Sequence, residues 1–105
     1  MSTGIVTMFC AAGSREEAAR LAGALVERRL AACVQALPID SWYRWEGKVE
    51  QAAEVLLLIK TTRARASEVE ACLVALHGYD VPEIIVLPVE DGLGGYLDWV
   101  SASVG

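Results

Sequence analysis

Four extended apolar runs interleaved with two helical stripes, in the order βαββαβ, predict an α+β fold. The expected architecture is a ferredoxin-like sandwich: an antiparallel four-stranded sheet, two helices on one face, a long hairpin between the second and third strands, and an extra C-terminal helix. Three observations carry this. "IVTMFCAA" (5–12) and Val55 to Ile59 are apolar without alternation, as strands in the middle of a covered sheet are. A thirteen-residue extended stretch, 33–45, turns back at "WEGK" (45–48). Two segments with apolar residues at helical spacing separate the first strand from the hairpin and the hairpin from the last strand. A right-handed crossover on each side makes the first and third strands central, and those are the two least interrupted runs.

The elements follow in order. After strand 5–12, Gly13 breaks the run and Ser14 offers its hydroxyl to the amides of a helix, with Glu17 three positions on as in a capping box. Ala18, Leu21, Ala22 and Leu25 form one apolar stripe, and the helix ends near Arg28 and Arg29, where cations suit the carbonyl-rich terminus. "CVQALPIDSWYRW" (33–45) is extended, with a bulge or bend expected at Pro38 and Asp40. Gly47 supplies the positive φ of a tight hairpin, and the return strand covers 48–61. Thr61 or Thr62 is placed to cap a second helix whose inward face holds Ala66, Val69, Leu73 and Leu76. Gly78 is placed to end it in the left-handed conformation. "EIIVLPV" (83–89) is the last strand, and "DGLGG" leads to a short helix, "YLDWVSAS". Without repeats or linkers, the 105 residues read as a single domain.

Composition narrows the function. A net charge of −5 argues against nucleic acid, which selects a basic face, and no basic cluster suits an anionic membrane. No apolar run reaches the roughly 18 residues of a membrane span. "GIVTMFCAAG" has the look of a signal-peptide core but lacks a basic flank, and Glu16 and Glu17 follow it. Cys10, Cys33 and Cys72 form no C-x-x-C pair and fit a reducing compartment, with Cys33 and Cys72 as core residues. The chain therefore reads as cytoplasmic. No nucleophile elbow, phosphate loop, HExxH or organic-cofactor fingerprint is present, so the reading is not an enzyme.

Two features do not suit an isolated sandwich. Thirteen extended residues span about 43 Å at roughly 3.3 Å each, whereas a globule of this size is about 33 Å across. The hairpin should overhang, and its tip carries Trp42, Tyr43 and Trp45. The last strand is apolar on both faces although the topology puts it at an edge. Such surfaces call for a cover, and the expectation is a homo-oligomer in which the hairpin of one subunit meets the edge of the next.

"RLAACV", "SWYRWEGKVEQAAEVLLLIKTT", "HGYDVPEIIVLPVEDG" and "YLDWV" together resemble the divalent-ion-tolerance, or CutA, family, over Ile5 to Val100. The resemblance implies a tight homotrimer similar in shape to PII-type signalling proteins, and a role in tolerance of divalent metals such as copper. It also implies an inter-subunit ligand pocket of Trp45, Glu54, Lys60, His77, Tyr79 and Glu83, and a metal set that includes Cys10 and His77. Two positions depart from the family pattern. Gly78 stands where most members carry proline, and Leu76 stands where some carry a second histidine beside the first. His77 keeps two readings: a helix-terminal residue complementing the dipole, or the centre of that pocket. The alternative function is a PII-like module that binds a small metabolite and signals to a partner protein.

Overall fold

The computed structural model describes residues 2–105. Along the chain come β1 (Ile5–Ala12), α1 (Arg15–Glu27), β2 (Cys33–Trp45), β3 (Lys48–Thr62), a single 3-10 turn (Arg63–Arg65), α2 (Ala66–Leu76), β4 (Ile84–Pro88) and α3 (Gly94–Ser103). The strands make one antiparallel sheet in the order β2-β3-β1-β4. β1 and β3 are central, as their uninterrupted apolar character requires, and the ferredoxin-like α+β fold is the one expected.

Strand alternation decides the two faces. Val6, Met8 and Cys10 of β1 and Val55, Leu57 and Ile59 of β3 share one face and pack against Ala18, Leu21 and Leu25 of α1 and Val69, Cys72 and Leu73 of α2. Each fully buried Leu, Ile or Met there contributes about 1.5–3 kcal/mol. Phe9, Leu37, Leu56, Leu58, Ile85 and Leu87 fall on the other face by register. α3 approaches it, touching β1 and β3 and setting Tyr96 beside Cys33. Ile85 remains 46% exposed.

The hairpin has the extent that the sequence suggests, with β3 one residue longer. Its pairing runs without a break from Cys33 opposite Lys60 to Trp45 opposite Lys48, so the bulge expected at Pro38 and Asp40 is absent. β2 is an edge strand, where a proline's missing N–H is tolerated and no bulge is needed. Glu46 (φ 49°) and Gly47 (φ 78°) close it as a two-residue turn, with both residues left-handed as a type I′ turn demands. The molecule measures 44 × 27 × 21 Å, in line with an overhanging ribbon, and Trp45 near its tip is 62% exposed.

Two local expectations are overturned. Neither threonine caps α2. Thr61 is wholly buried and donates its hydroxyl to the Leu30 carbonyl at 2.6 Å, while Thr62 precedes the 3-10 turn without a side-chain cap. Gly78 is not left-handed; α2 ends instead because His77 turns extended (φ −75°, ψ 144°), its amide still bonded to Leu73. Small shifts also occur. β4 begins at Ile84, leaving Glu83 in the preceding loop, and α3 begins at Gly94. At the end of α1, Arg28 is the cap residue and Arg29 takes the left-handed turn (φ 58°).

Candidate functional site

The C-terminal end of β1, the N-terminus of α1, the exit of α2 and the middle of β3 converge at one end of the sheet. Ser14 accepts the Glu17 amide and starts α1, as the capping box requires. The Glu17 carboxylate then turns back and out of its own helix. Its Oε1 accepts the Gly13 N–H at 2.8 Å, and its Oε2 accepts the Gly78 N–H at 2.7 Å, sixty-one residues away. Arg20 lies 3.8 Å from the same oxygen and also reaches the Leu76 carbonyl. One carboxylate therefore ties the start of α1 to the segment leaving α2.

That segment carries the histidine. The His77 side chain is fully buried. Its Nε2 lies 2.8 Å from the Ala11 carbonyl, and its Nδ1 lies 3.1 Å from the Tyr79 amide. An amide can only donate and a carbonyl can only accept, so the ring is assigned as the Nε2–H tautomer with Nδ1 as acceptor. Both nitrogens are thus engaged. The Tyr79 ring packs on the imidazole at 4.7 Å between centroids, and its hydroxyl donates to Glu54 Oε2 at 2.9 Å. Gly13 leaves room for it, because a Cβ there would stand 3.0 Å from the Tyr79 hydroxyl.

The electrostatics are acidic. Burial alone opposes ionisation of Glu17, but the Gly13 and Gly78 amides, His77 and Arg20 together outweigh it and hold the carboxyl below its ordinary value of 4.5. Burial, the bond to Glu54 and the charges of Glu54 and Glu17 push the Tyr79 phenol up to about 12. Cys10 is buried among the core side chains, and that burial, with Glu83 and Glu17 nearby, pushes its thiol up to about 12.

The chain brings together only part of the set implied by the resemblance. His77, Tyr79 and Glu54 form one bonded series, and Glu83 is close enough to act on Cys10. Lys60 stands six residues from Glu54 along β3, about 20 Å, and bonds Gln35. Trp45 stands about as far away in the other direction, opposite Lys48 at the hairpin tip. Cys10 and His77 do not fit a copper(II) centre within one chain. Cys10 is buried among the core side chains, both imidazole nitrogens are engaged, and no three His, Cys, Asp or Glu side chains among the described residues are grouped to hold a metal. The apolar cavity lies elsewhere, about 160 Å³ between α1 and β2, lined by Arg15, Ala18, Ala22, Pro38 and Val55.

Sequence reasoning missed Glu17 as a member of this site. The S-x-x-E spacing showed that its side chain folds back; only the tertiary structure shows that it reaches Gly78. Tyr43 also acts on the Tyr79 phenol, and alternation along β2 was the signal available for it.

Comparison with known proteins agrees with the motifs. Residues 6–103 match the family model described as CutA1 divalent ion tolerance protein. A divalent-cation tolerance protein CutA of Thermus thermophilus is 47% identical over 93 residues, covering 88% of this chain and 90% of that one. Its counterpart in Archaeoglobus fulgidus is 42% identical over 97 residues, covering 92% and 95%. The solved structure of the Archaeoglobus fulgidus protein, described as a periplasmic divalent cation tolerance protein, superposes with a TM-score of 0.94 at 40% identity, covering 96% of this chain and 99% of that one.

Proposed function

The chain belongs to the CutA1 divalent ion tolerance family, and on that premise we propose that it is a non-enzymatic homotrimer of the cytoplasm that serves the response to divalent cations such as copper. The proposed ligand site is the cleft around His77, Tyr79, Glu54 and Glu83, closed by Trp45 and Lys60 of neighbouring subunits. The observation that carries this reading is the bonded series from Ala11 through His77 and Tyr79 to Glu54, which begins in the core and ends on a carboxylate at the surface. In it His77 is a buried post rather than a ligand, and Tyr79, Glu54 and Glu83 are the groups that meet the cation or small cationic ligand. Oxygen donors of this kind suit divalent ions.

What supports association is the open sheet face, two free sheet edges and the aromatic ribbon, all apolar surface that water does not favour. What supports a binding role over catalysis is that both imidazole nitrogens are engaged, so the histidine offers no free base to a substrate. What supports the cytoplasm is three free thiols; no helix among the described residues is long and apolar enough to cross a membrane. Calorimetric titration with copper(II) is expected to show weaker binding for His77→Ala than for the wild-type chain. Equal affinity in both would remove His77 from the site.

A further inference from the structure

Glu17 joins the start of α1 to the segment leaving α2, and the capping role in its own helix does not explain that geometry. A capping-box glutamate normally returns to the amide of its own cap residue. Here both oxygens are spent elsewhere: one on Gly13, which precedes the cap, the other on Gly78 across the fold. The second contact is close, at 2.7 Å, and a Cβ on Gly78 would come 2.9 Å from Glu17 Oε2, so a side chain there would push the carboxylate aside. Gly78 lies between the residue whose ring is buried and the residue whose amide fixes that ring. Any displacement of Gly78 therefore moves the Tyr79 amide off His77 Nδ1 and the Tyr79 hydroxyl off Glu54.

We propose that Glu17 is the positioning residue of this site, a clasp that holds the His77–Gly78–Tyr79 segment against the start of α1 and so sets where the Tyr79 hydroxyl and the Glu54 carboxylate stand. This rests on reading the His77–Tyr79–Glu54 series as the ligand site. Both ends of the clasp are specific to the residue types present. A glutamine at 17 offers one oxygen to two amides. A proline at 78 has no N–H to give, although the extended conformation of His77 is the one that precedes proline readily.

The test is backbone amide exchange by NMR, with copper(II) alone as the binding probe, on wild-type chain, Glu17→Gln and Gly78→Pro. The Tyr79 amide should exchange at least about tenfold faster in both variants, while the Met8 and Cys10 amides in the middle of β1 keep their wild-type rates. Copper(II) affinity should fall about 10- to 100-fold, the usual effect of removing a group that orients a ligand-bearing residue. Unchanged Tyr79 exchange in both variants would overturn the proposal. So would acceleration at Tyr79 matched in β1, which would make Glu17 a contributor to overall stability alone. Faster Tyr79 exchange with wild-type copper(II) affinity would uphold the clasp and overturn the ligand-site reading on which it rests.

Discussion

A carboxylate that accepts two amides and neighbours a guanidinium is more acidic than one in water, and Glu17 is such a group. Its folded value lies below its ordinary 4.5, so its contribution to stability is fully present above that value and is lost as pH falls through the lower folded one. Urea unfolding of wild-type and Glu17→Gln chains between pH 7 and pH 3 should show the wild-type advantage constant near neutrality and shrinking below about pH 4.5. A constant gap across the range would mean that the charge does not matter. His77 makes the complementary point. A single histidine at a helix end could have been a dipole partner; instead its ring is buried between the Ala11 carbonyl and the amide of Tyr79, two residues on, and these partners, not the helix, decide its chemistry.

Among the elements, those read correctly from sequence are those whose signal is local. β1 and β3 betray themselves by unbroken apolar runs, α1 by its cap and stripe, and the hairpin by Gly47. Those misread depend on partners far along the chain. Thr61 looked like a cap because hydroxyls favour that position; the register of β1 against β3 buries it and leaves the Leu30 carbonyl as its partner. Gly78 looked like a left-handed stop because glycine often is one, but here it serves close approach to Glu17. The site followed the same rule. His77, Tyr79 and Glu83 were legible as a motif, whereas Glu17 and Gly13 enter only through the docking of α1 beside the exit of α2. Thr61→Val tests this at the level of the element. It removes the hydroxyl donor on the Leu30 carbonyl, and should cost about 1–3 kcal/mol in chemical denaturation. A cost near zero would show that water replaces the hydroxyl freely.

At the scale of the molecule, the long dimension and the open sheet face are what the proposed homotrimer accounts for. A core of buried residues from β1, β3, α1 and α2 holds one face of the sheet, while the other keeps Leu37, Ile85 and Leu87 partly in water. Trp42 and Trp45 stand on a ribbon beyond the core. Buried against neighbours, these surfaces would supply the hydrophobic driving force for association. The ribbon would also carry Trp45 to another chain's cleft, the only way it can approach the His77 end, since its own strand keeps it about 20 Å away. The most direct measurement is molar mass by light scattering on a chromatographed sample diluted to low micromolar concentration. The account predicts a single species of three chains of 11.3 kDa each, and a homogeneous species of one chain at that dilution would contradict it.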